Sequence, residues 1–125
     1  MRIAVTGASS SVGRSVCDAA RVAGLEVARL VRRPTQPGDV FFDLSQPPQP
    51  SALDGVSALV HIAWNWTASG RNYRRVNVDG GRRLLALCES KSARVVLLST
   101  FSTYSKHSSM YASAKRALEE DIRSL

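Results

Sequence analysis

The residues best suited to chemistry are Tyr111 and Lys115, which lie four positions apart near the end of the chain. On a helix this spacing places both side chains on one face, with the lysine ammonium one turn from the phenol. A neighbouring positive charge favours the phenolate, so we expect Lys115 to lower the pKa of Tyr111 from about 10 towards the working pH. A general acid/base needs such a shift, although tyrosine and lysine also occur at this spacing by chance.

A third group, the hydroxyl of Thr100, follows an apolar segment that is predicted to be a strand, Val95 to Leu98. At the exit of that strand it is placed to hydrogen-bond the same substrate oxygen as Tyr111. Ser99 and Ser102 carry hydroxyls nearby and compete for this role. We choose Thr100 because of its position at the strand exit.

A phosphate-binding turn is predicted at the beginning of the chain. Ile3 to Val5 read as a buried strand, Thr6-Gly7 breaks it, and helical spacing of apolar residues begins at Val12. Such a turn lets backbone N–H groups and the positive end of a helix meet a dinucleotide pyrophosphate, because glycine permits close approach. We therefore predict cofactor contacts from Thr6, Gly7, Ser9, Ser10, Ser11, Val12 and Gly13.

The glycine spacing of this turn is incomplete. Gly7 and Gly13 occupy the outer positions of a Gly-x-x-Gly-x-x-Gly pattern, whereas Ser10 stands in the middle. A serine has a Cβ and resists positive φ, so we expect Ser10 to weaken cofactor binding. An ordinary strand, turn and helix with two turn glycines is the alternative interpretation.

Arginines follow the second predicted strand, Glu26 to Val31. Arg32 lies 19 residues after Gly13, and Arg33 follows it directly. In a dinucleotide-binding fold this strand ends beside the adenosine ribose, where an acid binds the 2′-hydroxyl of NAD and an arginine accommodates the 2′-phosphate of NADP. The sequence thus favours NADP, with NAD as the other option, unless the two arginines are only solvated surface charges.

The remaining elements bring further side chains towards the same place. Ser57 to Ala63 reads as a strand buried on both faces, and the carboxyl ends of such strands face the ligand crevice. His61 is thereby placed near the cofactor, or else it is a packed, hydrogen-bonded histidine. The loop Trp64 to Gly70 follows; either it lines a substrate pocket, or its tryptophans Trp64 and Trp66 cap the core. Two further strands are predicted, Val40 to Phe42 and Val95 to Leu98, with a brief helical turn at Ser51 to Gly55. Helices are predicted from about Val12 to Ala23, from Asn72 to Glu89 around Gly80-Gly81, and from Met110 to Leu125.

Composition limits the class of protein. The 125 residues fit one domain, and 44% hydrophobic content with 22% charge supports a globular core. The chain lacks a secretory leader pattern and an apolar run near ~18 residues, so we expect a cytoplasmic protein that does not span a membrane. Cys17 and Cys88 lack metal-ligand spacing and are predicted to be packing residues, with no metal. The net charge of +7 is scattered, which argues against a nucleic-acid partner.

Taken together, these segments resemble the short-chain dehydrogenase/reductase superfamily, and most closely its extended branch, the NAD-dependent epimerase/dehydratase family. The resemblance runs over the whole chain. It is carried by T-G-A-S-S-S-V-G at Thr6 to Gly13, D-L at Asp43-Leu44, V-H-I-A at Val60 to Ala63, V-N-V-D-G at Val76 to Gly80, L-L-S-T at Leu97 to Thr100 and Y-A-S-A-K at Tyr111 to Lys115.

The resemblance implies a role for each matched position. Tyr111 would transfer a proton, Lys115 would also hold the nicotinamide ribose, Thr100 would orient the substrate oxygen, and Asn77 would support the proton relay behind Lys115. The implied cofactor-binding set also contains Tyr111 and Lys115 themselves, Arg32 and Arg33, Asp43 near the adenine with Leu44 beside it, and His61, Ile62 and Ala63 flanking the cofactor.

The implied fold is α/β, a Rossmann-like doubly wound parallel sheet of about five strands in the order 3-2-1-4-5 with helices on both faces. Family members normally continue with a substrate-binding region, so we expect residues 1–125 to be a partial domain with an open, apolar fifth strand. A homodimer through the two later helices is a further expectation by analogy.

The implied activity is that of an NAD(P)-dependent oxidoreductase or epimerase/dehydratase, by hydride transfer at a carbon bearing a hydroxyl or carbonyl of a small-molecule substrate. The substrate itself stays open. The alternative is a non-catalytic NADP-binding or regulatory module.

Overall fold

The computed structural model describes residues 1–100, 103 and 109–125. Its centre is a parallel sheet of five strands in the order β3-β2-β1-β4-β5, which confirms the predicted Rossmann-like order. The strands are β1 Arg2–Thr6, β2 Glu26–Val31, β3 Val40–Phe41, β4 Ala58–His61 and β5 Arg94–Leu97.

Helices cover both faces of this sheet, as predicted. They are α1 Ser11–Val22, a 3₁₀ turn at Pro50–Leu53, α2 Arg71–Arg74, a π-helical turn at Arg75–Asp79, α3 Gly80–Ser90 and α4 Met110–Arg123. Successive residues of a strand point to opposite faces. Ile3 and Val5 accordingly pack with Cys17 of α1, while Ala4 packs with Leu84 of α3 on the other side.

The register brings the carboxyl ends of the strands to one edge. Thr6 at the end of β1 pairs with Leu30 of β2, and His61 at the end of β4 pairs with Leu97 of β5. Residues that follow these ends therefore converge, although they are far apart in sequence. This edge carries the candidate site.

The helix predicted over Asn72 to Glu89 is present but not uniform. Its middle widens into the π-helical turn Arg75–Asp79, which contains the buried Asn77. The Asn77 amide donates to the carbonyl of Tyr73, and this side chain also binds the backbone of Asn65 outside the helix. We attribute the irregular turn to this buried asparagine, which has hydrogen-bond partners both inside and outside the helix. Single π-helical turns within α-helices are often found at such special positions.

Gly80 and Gly81 of α3 lie in close contact with neighbouring elements. A Cβ on Gly80 would lie 2.2 Å from the carbonyl oxygen of Leu44, which follows β3. A Cβ on Gly81 would lie 2.9 Å from the Leu118 side chain of α4. The two glycines let α3 approach a loop and a helix at the same time.

The cysteines and the outer strand also match expectation. Cys17 and Cys88 are free thiols inside the core, and burial raises the pKa of Cys88 to about 11. Within the described residues β5 pairs with β4 alone; Val96 in this strand and Leu98 directly after it are 55% and 44% exposed. The fifth strand is thus an open, apolar edge.

Two features are absent from residues 1–100, 103 and 109–125. These residues include no helix with the length and apolar character needed to cross a membrane. The same part of the chain has no cluster of three or more His, Cys, Asp or Glu side chains that could hold a metal ion.

Candidate cofactor-binding and catalytic site

A cavity of about 640 Å³ opens at the carboxyl edge of the sheet. Its size is within the usual range for small-molecule sites, roughly 300–1,000 Å³. It is lined by residues that follow each strand and by two residues of α4: Gly7, Ser9, Ser10, Ser11, Val12, Leu30, Val31, Arg32, Phe42, Asp43, Leu44, Ile62, Ala63, Trp64, Asn65, Trp66, Thr67, Leu98, Tyr111 and Lys115.

The predicted phosphate turn forms one end of this cavity, which we call the phosphate end (residues 7–13). Gly7 has a φ of +63°, and a Cβ there would lie 2.9 Å from the amide nitrogen of Ala63. A Cβ on Gly13 would lie 2.0 Å from the carbonyl oxygen of Gly7. Only glycine fits both positions, because each Cβ would meet backbone atoms. The turn leads into the start of α1, where amides lack helical partners and attract anions.

Ser10 does not have the conformation that we expected at the middle of the turn. Its φ is −71°, because Gly7 alone carries the positive φ of this segment. The Ser10 hydroxyl donates to the Gly7 carbonyl at 2.7 Å and accepts from the Gly13 amide at 3.0 Å. Ser10 is thus the N-cap of α1 and stabilises the turn without a positive φ. That it weakens cofactor binding stays a prediction.

Thr6 and His61 lie behind the cavity wall and do not line it. The Thr6 hydroxyl accepts the amides of Ile62 at 2.9 Å and Ala63 at 3.1 Å, so its own proton is directed to Nδ1 of His61 at 2.7 Å. His61 is then neutral with its proton on Nε2, and burial, helped by the charge of Lys115, lowers its pKa to about 3. The hydrogen-bonded interpretation of His61 holds: with Thr6 it ties the end of β1 to the end of β4.

Arg32 and Asp43 occupy the cavity wall at the ends of β2 and β3, whereas Arg33 does not line the cavity. The Asp43 carboxylate accepts the amide and the hydroxyl of Ser45, at 2.9 and 2.7 Å. Burial raises the pKa of Asp43, but these hydrogen bonds and the charge of Arg32 outweigh burial and lower it. The structure thus places one of the two predicted arginines, and the predicted Asp43 and Leu44, at this wall.

Aromatic side chains form the opposite end, which we call the aromatic end (Trp64, Trp66, Tyr73 and Tyr111). Ring centroids of Tyr111 lie 5.4 Å from Trp64 and 5.0 Å from Trp66. The Trp64 indole donates to the Tyr73 hydroxyl at 2.9 Å. Of the two alternatives for the tryptophans, the structure supports pocket lining, since both border the cavity.

Lys115 is 2% exposed, beneath the aromatic end. Its ammonium donates to the carbonyl of Leu98 at 2.6 Å and lies 4.2 Å from the ring centroid of Trp64, but 5.8 Å from that of Tyr111. Burial lowers the pKa of Lys115 to about 8, although the charge of Glu119 opposes this. Lys115 therefore binds Leu98 and Trp64 rather than the phenol.

The prediction that Lys115 lowers the pKa of Tyr111 was wrong for this structure. Burial and the nearby phenol of Tyr73 raise the pKa of Tyr111. The two residues do share one helix face and one cavity, as their spacing indicated. The ammonium is held by Trp64 instead, a neighbour that the i, i+4 spacing does not show.

Asn77 is fully buried and does not line the cavity. Its side chain accepts the Asn65 amide at 2.7 Å and donates to the Asn65 carbonyl at 3.0 Å. Asn77 thereby fixes the loop that carries both tryptophans. The proton relay that the resemblance implies for it stays a prediction.

Of the candidate hydroxyls after β5, the two in the described residues do not line the cavity. The Ser99 hydroxyl donates to the Glu119 carboxylate of α4. Thr100 is partly buried, does not line the cavity, and its carbonyl accepts the amide and hydroxyl of Thr103. Ser102 lies outside the described residues. The choice of Thr100 stays a prediction.

Sequence reasoning missed Leu98 as a cavity residue, whereas Asn65 and Thr67 belong to the loop for which pocket lining was one alternative. Asn65 accepts the Thr67 amide and hydroxyl at 3.0 and 2.9 Å, a turn that the N-x-T pattern indicates locally. The signal for Leu98 was its place at the end of a strand beside β4.

The sequence matches the model of the NAD dependent epimerase/dehydratase family over residues 3–125. The chain belongs to this family, in agreement with the resemblance drawn from its motifs.

Individual relatives agree with this assignment. The chain is 31% identical over 131 residues to a protein named ceramide reductase from Caulobacter vibrioides, covering 97% of this chain and 41% of that protein. Among solved structures it is similar to a short-chain dehydrogenase/reductase superfamily protein from Agrobacterium tumefaciens with bound NAD. That comparison gives a TM-score of 0.83 and 29% identity, with 98% and 44% of the two chains covered.

A further solved structure, MoeE5 in complex with UDP-glucuronic acid and NAD, gives a TM-score of 0.84 at 25% identity. The match covers 99% of this chain and 49% of that one. The chain thus spans less than half the length of these relatives.

Proposed function

We propose that this chain is the cofactor-binding part of an NAD(P)-dependent oxidoreductase or epimerase/dehydratase that acts on a carbon bearing a hydroxyl or carbonyl. One observation carries the proposal: the glycine cradle at the start of α1 opens into the same cavity as Tyr111 and Lys115. A phosphate-binding cradle and an acid/base pair in one cavity are what such a reaction requires.

The residues present fit a nicotinamide dinucleotide. When bound, this cofactor supplies or accepts the hydride. Gly7 and Gly13 let the turn pack closely on its own backbone and on Ala63, so that amides at the start of α1 can meet a pyrophosphate. Arg32 is placed at the end of β2 for an adenosine phosphate. Asp43 and Leu44 border that same wall.

Tyr111 is proposed to hold and transfer the proton. Because burial and Tyr73 raise its pKa, the phenol is protonated at neutral pH and serves as a donor to a carbonyl oxygen. Lys115 lies one turn away in the same cavity, and its proposed role is to hold the nicotinamide ribose. Thr100 and Asn77 are proposed to assist, the first at the substrate oxygen and the second behind Lys115.

The preference for NADP is a proposal that rests on Arg32. The similar solved structures that name a cofactor name NAD, and Asp43 offsets part of the Arg32 charge. The cytoplasmic location and a homodimer likewise stay predictions from the sequence. Residues 1–125 are proposed to be one part of a longer enzyme, as in the relatives.

A non-catalytic NADP-binding or regulatory module is the second candidate. In the described part of the chain, neither Ser99 nor Thr100 lines the cavity, so the hydroxyl of a complete catalytic set is not seen there. Cofactor binding without turnover would fit that arrangement.

The cofactor assignment is tested by thermal unfolding with NADPH and NADH in parallel. A ligand that binds only the folded state adds about 2.7 kcal/mol at a hundred times its dissociation constant. We expect stabilisation by both, larger with NADPH, and we expect Arg32→Ala to abolish the difference. Arg33→Ala is the matched control, because this neighbouring arginine does not line the cavity. A folded chain that neither cofactor stabilises would contradict the proposal.

The catalytic assignment is tested by Tyr111→Phe in the enzyme that contains this chain. Turnover should fall by ~10²- to 10⁴-fold, the usual contribution of a positioned acid/base group, while the dissociation constant for NADPH stays nearly unchanged. Full activity in this variant would favour the second candidate or another proton donor.

A further inference from the structure

Trp66 is the feature from which a substrate class can be inferred. Its side chain borders the cavity and is 66% exposed, with its ring centroid 5.0 Å from that of Tyr111. A ligand that covers an exposed tryptophan gains a large free energy of burial. Beside a proposed proton donor, it is a surface for the group next to the reacting carbon.

The loop that carries Trp66 is held rigidly. The Asn65 side chain accepts the amides of Thr67 and Ala68 at 3.0 and 3.1 Å, and the Asn65 backbone is bound on both sides by Asn77. Trp66 lies inside this hydrogen-bonded turn. A ligand that contacts it needs little further ordering of the loop, which favours affinity.

The described surroundings of Trp66 in the cavity are uncharged: Asn65 and Thr67 are neutral, and Leu98 is apolar. Leu98 borders the same cavity with its side chain 44% exposed. The charged residues that line the cavity within residues 1–100, 103 and 109–125 are Arg32, Asp43 and Lys115. Arg32 and Asp43 belong to the wall at the ends of β2 and β3, and Lys115 is buried against Leu98 and Trp64. The described part of the aromatic end thus offers stacking surface and no exposed charge.

We infer that the substrate carries a planar, apolar ring next to its reacting carbon and that this ring stacks on Trp66. The inference rests on the proposed function. In the reducing direction, the carbonyl carbon gains a hydride from the reduced nicotinamide, and the carbonyl oxygen takes the phenolic proton of Tyr111. An aryl ketone and reduced cofactor become an aryl carbinol and oxidised cofactor, and the phenolate regains its proton from water.

The test compares a planar and a non-planar ketone with the same carbon skeleton: methyl naphthyl ketone and its saturated decahydro counterpart. The chain has two tryptophans, and both border the cavity, so their fluorescence reports first the binding of NADPH or NADH. Each ketone is then titrated into the cofactor-saturated chain by calorimetry. We expect the planar ketone to bind about two- to tenfold more tightly, the range of aromatic stacking beyond buried area.

Variants assign this preference to one side chain. Trp66→Ala should remove it and Trp66→Phe should restore most of it, while Phe41→Ala, an exposed aromatic outside the cavity, should leave it unchanged. If the cofactor binds and the two ketones then bind with equal affinity, the inference is overturned and the proposed function is not. If Trp66→Ala weakens cofactor binding as much as ketone binding, Trp66 contacts the cofactor and the inference is also overturned. Failure of both cofactors to bind would overturn the proposed function and the inference together.

Discussion

The phosphate end and the aromatic end of the cavity are built from different parts of the protein. At the phosphate end, consecutive residues from Gly7 to Gly13 shape the backbone, and their hydrogen bonds join near neighbours. At the aromatic end, Trp64 and Tyr111 contact each other although they are far apart in the sequence. The first end depends on what a short segment can adopt, and the second on how distant side chains pack.

This difference determines how each end responds to substitution. A backbone cradle leaves no space for an added atom, so a single methyl group there disrupts both folding and binding. A cluster of side chains can lose one contact and keep the others. Substitutions at the two ends should therefore differ in size and in kind.

The largest effect is expected for Gly7→Ala. Positive φ costs an alanine about 1–2 kcal/mol, and the Cβ only 2.9 Å from the Ala63 amide adds about 1–3 kcal/mol of overpacking. We expect about 3–4 kcal/mol of destabilisation in urea unfolding, with loss of NADPH binding by the folded fraction.

Gly24→Ala is the matched control for this substitution. Gly24 also has positive φ, at +80°, but a Cβ there meets nothing within 4 Å. It should cost only the conformational part, about 1 kcal/mol, and leave cofactor binding intact. Equal losses for the two variants would show that the approach to Ala63 does not matter.

Asn77→Ala should have a smaller effect, confined to the aromatic end. The substitution removes hydrogen bonds to Tyr73 and Asn65 and leaves the Asn65 backbone without its partners. We expect about 2–3 kcal/mol of destabilisation. We also expect a lower anisotropy of the tryptophan fluorescence, because Trp64 and Trp66 become more mobile.

Asn72→Ala, at an exposed position of α2, serves for comparison. It should change the free energy of unfolding by less than about 0.5 kcal/mol. Unaltered tryptophan anisotropy in Asn77→Ala would mean that the loop does not depend on this side chain.

The titration of Lys115 gives the smallest expected change in the free energy of unfolding when the change is taken per pH unit. The folded protein releases this proton near pH 8, whereas an unfolded lysine keeps it to a pKa of about 10.4. Between these values the unfolded chain binds more protons, so the free energy of unfolding should rise with pH, by about 1 kcal/mol per pH unit from this group.

Lys115→Met isolates this contribution. The difference between wild type and variant should show the slope in urea unfolding between about pH 8 and pH 10, because other titrating groups are common to both. Parallel pH profiles would show that Lys115 is not protonated differently in the folded state.

Most of the fold was predictable because its signals are local. The strand predicted over Glu26 to Val31 has those bounds in the structure, and the phosphate turn is where its glycines indicated. Alternating and helical patterns report burial directly, so the order of elements follows from the sequence.

The rest depended on contacts between distant residues. The pKa of Tyr111 is controlled by burial and Tyr73, and the position of Lys115 by Trp64 and Leu98, none of which its helical spacing reveals. The conformation of Ser10 was not predicted, because the pattern does not say which residue of the turn adopts positive φ. The π-helical turn likewise follows from the partners of Asn77.

The segment that contains the π-helical turn Arg75–Asp79 must also keep its number of residues. Each residue of an α-helix rotates the chain by 100°, so one residue more or fewer in this segment would turn the residues on its two sides relative to each other. Tyr73, before the turn, meets Trp64, while Gly80 and Gly81, after it, face Leu44 and Leu118. A single-residue insertion or deletion here would break one of these sets of contacts, even if every other amino acid were kept.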